Sequence, residues 1–169
     1  MARFIDPLHT NNFLDANIFN EVADGQNEAV EGILRVYNED ALTLLLPYSV
    51  QYELKDPSTP DSVRKASQNF TYSIKVRLTK GEQELYDKLL AEVTGDAEPK
   101  NIARDLFHVF EASKNGGGHF ITRDKRLLKR SDAIAELLHI DLVTPEAFLE
   151  KVRMAKERDA RFSKGEKRP

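Results

Sequence analysis

Short apolar runs alternate with helical patterns along the 169-residue chain. The runs typical of buried strands are Phe13 to Asp15, Ala41 to Leu46, Phe120 to Thr122 and Ile140 to Val143. Between them, apolar residues recur at the spacing of helices that bury one face. This alternation predicts an α/β fold, a parallel-sheet α/β/α sandwich with helices on both faces of the sheet.

Local signals predict where several helices begin and end. The helical pattern from Ile18 to Asn38 is interrupted at Asp24-Gly25, and Thr79 with Glu82 matches a capping box. Three glycines, Gly116 to Gly118, predict the end of a helix. Further helices are predicted over residues 47–54, 63–74, 80–93, 101–113, 124–129 and from 144 onward.

Composition narrows the classes of function. The absence of cysteine excludes disulfides, cysteine-ligated zinc, iron–sulfur clusters and thiol catalysis. Hydrophobic residues at 40% and charged residues at 31% are typical of a globular domain, which we expect over residues 1–150, followed by a basic helical tail over 151–169. No apolar run is long enough for a signal peptide or a membrane span, so we expect a cytoplasmic protein without membrane contact.

Charge is distributed unevenly behind a formal net charge of −3. Residues 1–57 carry three Lys/Arg against ten Asp/Glu, whereas residues 151–169 carry eight basic residues and three acids. Such a separation fits a metal site beside a surface that binds a polyanion. It also fits a set of solvated faces and a solvated tail, and charge alone favours this second interpretation.

Four carboxylates are candidates for one site at the carboxyl edge of the predicted sheet. Asp15 directly follows the first strand, and Asp124 follows the strand Phe120 to Thr122 after one residue. Glu53 and Asp105 lie on helices. Functional residues of parallel sheets gather at the carboxyl ends of the strands, where converging carboxylates need protons or a bound cation. Oxygen ligands favour Mg²⁺ or Mn²⁺, ions that support phosphodiester cleavage.

The motifs around these acids resemble those of PIN-domain nucleases. The segment from Phe13 to Phe19 (FLDANIF) looks like the opening motif, and Val50 to Leu54 (VQYEL) is similar to the second. Asp105 to Ala112 is similar to the third, and Phe120 to Leu127 closely matches the fourth, a strand followed by Thr-x-Asp. The closing strand–helix junction corresponds to Thr144 to Leu149, so the resemblance covers about residues 10–150.

The resemblance implies a Mg²⁺- or Mn²⁺-dependent ribonuclease. Its catalytic, metal-binding acids would be Asp15, Glu53, Asp105 and Asp124, and its supporting polar residues Asn17 and Thr122. Small members of the family are often the toxin of a toxin–antitoxin pair, so the expected partners are RNA, a cognate antitoxin protein and a second copy of the chain in a homodimer.

Basic residues near these motifs are candidates for contact with the RNA backbone. Arg123, Lys125 and Arg126 flank Asp124, and Arg64 with Lys65 lies on the helix predicted over 63–74. Lysine and arginine supply attraction to phosphates that does not depend on sequence. The same side chains also keep helices soluble, and for Arg64 and Lys65 the sequence favours neither role.

Two other functions are compatible with the sequence. A PIN-like module that binds RNA or docks a protein, with little or no catalysis, would share the fold. Haloacid-dehalogenase-like phosphatases also begin with an apolar strand ending in aspartate, but they need a second aspartate where this chain has Asn17. His108 is interpreted as a partly buried, hydrogen-bonded histidine.

Overall fold

The computed structural model describes residues 4–70, 75, 77–94 and 102–163. Four strands form one sheet in the order β2-β1-β3-β4, and every neighbouring pair is parallel. The parallel α/β prediction is confirmed. The strands are β1 (Asn11–Leu14), β2 (Thr43–Leu45), β3 (Gly117–Ile121) and β4 (Asp141–Val143).

Helices connect the strands. Within the described ranges they are α1 (Ile18–Asp24), α2 (Glu28–Asn38), α3 (Tyr48–Leu54), α4 (Asp61–Ser67), α5 (Lys80–Thr94), α6 (Ala103–Lys114), α7 (Lys125–Leu128), α8 (Ser131–Leu138) and α9 (Pro145–Ser163). None of these helices combines the length and apolar character needed to cross a bilayer.

Alternation along the strands separates two hydrophobic cores. Leu14 and Ile121 point to one face and join the core formed with α1 to α4 and α9, where Phe148 is fully buried. Phe13 and Phe120 point to the other face and join the core formed with α5 to α8. Helices therefore cover both faces of the sheet, as in an α/β/α sandwich.

Several predicted helix ends are confirmed. Gly25 adopts a left-handed conformation, with φ of 67°, and ends α1 where the pattern predicted an interruption. The predicted capping box is present before α5: Glu82 N donates to Thr79 Oγ1 at 3.3 Å, and Thr79 N donates to a Glu82 carboxylate oxygen at 2.7 Å.

The glycine triplet has a different role from the one predicted. Gly116 turns the chain with φ of 75°, but Gly117 and Gly118 belong to β3. A Cβ on Gly117 would lie 2.7 Å from the carbonyl oxygen of Ala112, and one on Gly118 would lie 2.7 Å from side-chain atoms of Ile5. These two glycines therefore allow neighbouring chain segments to approach the strand closely.

Three other segments differ from the prediction or extend it. Helix α8 was not predicted, and the helix predicted over 63–74 ends at Ser67, followed by a 3₁₀ turn over Gln68–Phe70. Residues 71–74, with Tyr72, lie outside the described residues. Helix α9 continues without interruption through residue 150, and Val152 and Ala155 are buried, so the first part of the predicted tail packs on the domain.

The strand order reverses beside Asp15. The chain passes from β1 to β2 on one side of β1 and later to β3 on its other side. Ligands of open α/β sheets bind outside the carboxyl ends of strands at such a reversal. Asp15 N donates to Ile121 O at 3.0 Å and Thr122 N donates to Val143 O at 2.9 Å, so both residues continue the strand pairing at this end of the sheet.

Candidate functional site

Asp15 is held by three hydrogen bonds at the end of β1. The hydroxyl of Thr122 donates to Asp15 Oδ2 at 2.6 Å, and Asn17 Nδ2 donates to the same oxygen at 2.9 Å. The backbone N–H of Ala16 donates to Oδ1 at 2.7 Å. Burial raises the pKa of Asp15, although the bond from Thr122 opposes the rise. Asn17 and Thr122 thus hold a buried carboxylate in place.

Asp105 and Asp124 share one guanidinium nitrogen. Arg126 Nη2 lies 2.6 Å from Oδ2 of each carboxylate. Burial raises the pKa of Asp105, and the neighbouring Asp124 adds to the rise. Burial acts in the same direction on Asp124, but hydrogen bonds from Arg126 bring the pKa of Asp124 below its ordinary value.

Glu53 reaches the same region from α3. Its Oε2 lies 3.0 Å from Nε2 of His108 and 3.6 Å from Nε of Arg104. The hydrogen bond with His108 lowers the pKa of Glu53. Arg104 Nε also lies 3.9 Å from Asp105 Oδ1, so this arginine links the two carboxylates.

A buried polar row supports Glu53 from behind. His108 Nδ1 lies 2.7 Å from Ser49 Oγ, so both ring nitrogens of this buried histidine are engaged. Ser49 donates its hydroxyl and its backbone N–H to the buried carboxylate of Glu111, at 2.5 and 2.8 Å. His108 is therefore the buried, hydrogen-bonded histidine that the sequence analysis expects, and one of its partners is a candidate catalytic acid.

The structure brings the four acids into one connected region. Asp124 N donates to Thr122 Oγ1 at 3.0 Å, which joins the surroundings of Asp15 to those of Asp124. Arg126 then connects Asp124 to Asp105, and Arg104 connects Asp105 to Glu53. The four carboxylates thus follow one path of contacts at the carboxyl end of the sheet.

The donors of this path fit a magnesium or manganese ion in their chemistry. All four are carboxylates, the hard oxygen ligands of these ions, and burial disfavours the charged forms of Asp15 and Asp105, which a bound cation would stabilise. The ligand atoms are nevertheless held apart. Among the described residues, the three His/Asp/Glu groups whose ligand atoms all lie within 4.8 Å of one another are Asp6, His9 and Asp159, at a different place. An ion held by Asp105 and Asp124 together has to compete with Arg126.

The predicted phosphate-binding residues have different surroundings. Arg123 makes paired hydrogen bonds to the carboxylates of Glu21, at 2.7 and 2.9 Å, and Glu146, at 2.5 and 2.7 Å. These bonds raise the pKa of Arg123 and tie the loop after β3 to α1 and α9. Most of the Arg123 donors are therefore used inside the protein. Lys125 is exposed beside Asp124.

The basic residues of α4 lie apart from this path. Arg64 forms an ion pair with Asp61 on the same helix, and Lys65 is exposed. Helix α4 packs on α1 and α3. Among the described residues, neither Arg64 nor Lys65 contacts any of the four acids, so their contact with RNA stays a prediction.

Glu53 lines an open groove with a volume of about 1200 Å³. Tyr52, Arg104 and Phe107 are among its lining residues. Sequence reasoning did not single out Tyr52, Arg104, Ser49 or Glu111. One signal for the buried row was available: Asp105, His108 and Glu111 recur every three positions on a helix whose other inward residues are apolar.

Comparisons with protein-family models, with curated proteins and with solved structures found no match to this chain. The likeness to PIN-domain nucleases therefore rests on the motif residues. Any functional conclusion rests on the chemistry of the carboxylate path and of the groove beside it.

Proposed function

We propose that this protein is a PIN-type ribonuclease that hydrolyses RNA with Mg²⁺ or Mn²⁺ held by Asp15, Glu53, Asp105 and Asp124. One observation carries the proposal: four carboxylates from separate parts of the chain follow one path of contacts at the reversal of strand order. Two of them have raised pKa values, which is the electrostatic environment that a divalent cation relieves.

The chain's own residues orient these acids. Thr122 and Asn17 fix the direction of the Asp15 carboxylate, and His108 fixes that of Glu53. Arg104 and Lys125 are exposed and attract the phosphate backbone. A bound divalent ion would make water a stronger nucleophile and neutralise charge that develops on the phosphate. The partners implied by the resemblance are RNA as substrate and an antitoxin protein as inhibitor.

A second candidate is a PIN-like module that binds RNA without cleaving it. The position of Arg126 favours it, because this guanidinium already neutralises Asp105 and Asp124 as a cation would. In this alternative, the carboxylate path stabilises the fold around an RNA-binding surface. Only the ribonuclease is expected to bind Mn²⁺ and to cleave RNA with it.

The test is cleavage of a mixed RNA pool with Mn²⁺ or Mg²⁺, beside an EDTA control, by the wild type and by Asp15→Asn. We expect cleavage that EDTA abolishes and that falls about a thousandfold in Asp15→Asn, the upper range for loss of one preorganised electrostatic contact. Asp132→Asn is the matched control, since Asp132 is exposed on α8, and it should cut normally.

Three results would contradict the nuclease. They are cutting that persists in EDTA, equal cutting by wild type and Asp15→Asn, or no cutting together with no Mn²⁺ binding in calorimetry. The last result, combined with RNA binding, would support the module without catalysis.

A further inference from the structure

The groove beside Glu53 presents an unusually exposed aromatic ring. Tyr52 directly precedes Glu53 on α3, and 72% of its surface is exposed. Among the described residues, the other large hydrophobic side chains with high exposure are Phe4 at 41% and Met154 at 53%. A ring this exposed contributes little to the core, yet it lines the groove that begins at a candidate catalytic acid.

Two further aromatic rings form a fixed part of the groove lining. The hydroxyl of Tyr86 donates to the carbonyl of Ala103 at 2.7 Å, which anchors this ring to the start of α6. The Tyr86 ring meets that of Phe107 edge to face, with centroids 5.6 Å apart. The groove therefore offers flat apolar surfaces that are held in place, as binding of planar ligands requires.

The groove lining carries three carboxylates and three lysine or arginine side chains. Its acids are already bonded within the protein: Glu53 to His108, Asp56 to Ser58 and Glu111 to Ser49. Its cations are Lys55, Lys75 and Arg104. Neither of the two lysines forms an ion pair with the described part of the chain, so both are available to a ligand's phosphates.

We propose that this groove binds unpaired nucleotides of the RNA next to the cleaved bond, with one base stacked on Tyr52 and the adjoining phosphates contacted by Lys55 and Lys75. Aromatic rings with cations at the rim are the features that bind single-stranded nucleic acid, because every unpaired base offers a flat face. A paired base is stacked inside its helix and cannot lie on Tyr52. The volume of about 1200 Å³ exceeds that of a typical small-molecule pocket and suits more than one nucleotide.

This inference rests on the proposed function, since it takes RNA as the ligand, but binding can be measured without cleavage. The probe is a fluorescein-labelled single-stranded RNA of mixed sequence, about 12 nucleotides long. Anisotropy titrations in EDTA compare it with the same RNA annealed to its complement. We expect the wild type to bind the single strand more tightly than the duplex.

Substitution variants test whether RNA binds in this groove. Tyr52→Ala should weaken binding of the single strand about tenfold, and Tyr52→Phe, which keeps the ring, should bind within about twofold of the wild type. Met154→Ala removes an exposed side chain outside the groove and should change nothing. Lys55→Ala should reduce the slope of log affinity against log salt by about one unit. Thermal unfolding of Tyr52→Ala should match that of the wild type, because the ring is exposed.

The proposal is overturned if Tyr52→Ala binds like the wild type, if Tyr52→Phe loses as much affinity as Tyr52→Ala, or if duplex RNA binds as tightly as the single strand. The measurements distinguish failure of the groove proposal from failure of the proposed ribonuclease activity. Mn²⁺-dependent cutting with unchanged binding by Tyr52→Ala contradicts the groove alone. Binding that depends on Tyr52, without any cutting by the wild type, contradicts the nuclease alone.

Discussion

The two ends of the sheet both bury polar side chains, but these side chains bond to different partners. At the amino end, the amide of Asn12 donates to the carbonyls of Pro7, Thr10 and Thr43 at 2.9 to 3.1 Å. Its Oδ1 lies 2.8 Å from Nδ1 of His119. Asn12 and His119 are fully buried; Asn12 bonds to the chain's own backbone and to His119, whereas Nε2 of His119 has no hydrogen-bond partner among the described residues.

The carboxyl end buries charge beside an open groove. There the acids bond mainly to side chains, and burial raises the pKa of Asp15 and Asp105. Burial of these carboxylates costs folding free energy, since the folded state disfavours their charged forms. The difference is that the buried Asn12 at the amino end bonds to the backbone of the fold, whereas the buried carboxylates at the carboxyl end reduce stability because their charged forms are disfavoured. Substitutions at each end should separate stability from activity.

The largest effect is expected from Asn12→Ala at the amino end. It removes the donor to three backbone carbonyls and the acceptor for a buried histidine nitrogen, and we expect the free energy of unfolding to fall by about 3 kcal/mol. Urea denaturation measures the change. Asn11→Ala is the matched control: Asn11 donates one bond, to Asn115 O at 3.1 Å, and its loss should cost about 1 kcal/mol. Cleavage per folded molecule should be normal in both variants, and a specific loss of cleavage in Asn12→Ala would break the comparison.

The next effect concerns the acid dependence of stability. Burial, with a contribution from Lys151, lowers the pKa of His119 to about 4. The unfolded chain takes up a proton near pH 6.5, whereas the folded protein resists it. The stability contributed by neutral His119 is therefore complete above about pH 6.5 and is lost as the pH falls towards 4, by up to about 3 kcal/mol.

This dependence should flatten in His119→Gln and persist in His139→Gln, where the histidine is exposed. The measurement is the free energy of unfolding from urea titrations between pH 7 and 4. If the stability of His119→Gln fell with pH as steeply as that of the wild type, the acid sensitivity would have to come from other groups, and this prediction for His119 would be wrong.

The smallest effect is expected from His108→Gln at the carboxyl end. Glutamine keeps a donor but cannot hold both Glu53 and Ser49 at the present distances of 3.0 and 2.7 Å. Loss of such an outer partner weakens metal binding or activity about 10-fold. The readouts are the Mn²⁺ concentration for half-maximal cleavage, which should rise, and cleavage at saturating Mn²⁺, which should recover. An unchanged Mn²⁺ requirement together with a large loss of stability would give His108 a purely structural role.

Much of the fold follows from local signals in the sequence. The left-handed Gly25, the capping box of Thr79 and Glu82, and the helix start at Pro145 each depend on a few neighbouring residues, and each was predictable. Helix α8 was missed because only Ile134 and Leu138 are buried along its eight residues, too few for a clear periodicity. The prediction was wrong for the strand glycines Gly117 and Gly118. Glycine is needed there because Ala112 and Ile5 pack too closely to leave room for a Cβ, and no local sequence pattern reveals these contacts.

The candidate site was likewise predicted only in part from the sequence. The positions of Asp15 and Asp124 after their strands followed from apolar runs that end in an acid. Glu53 and Asp105 needed the family resemblance, since a helical acid is usually a solvated one. The bonds between Ser49 and Glu111, 62 positions apart, and the pairing of Arg123 with Glu21 and Glu146 depend on tertiary packing, and the sequence alone did not predict them.

The hydrogen bond from Thr122 to Asp15 has a consequence for the timing of folding. It joins residues 107 positions apart, and β1 and β3 are neighbours in the sheet. Contacts of such long range form slowly, and a ribosome adding about 5–20 residues per second needs roughly 5–20 s to synthesise the intervening chain. Until β3 has left the ribosome, Asp15 cannot accept the hydrogen bond from Thr122, and β1 can pair only with β2. A nascent chain therefore carries its first candidate acid long before it can assemble the candidate site, so the proposed hydrolysis of RNA would begin only after β3 has been synthesised.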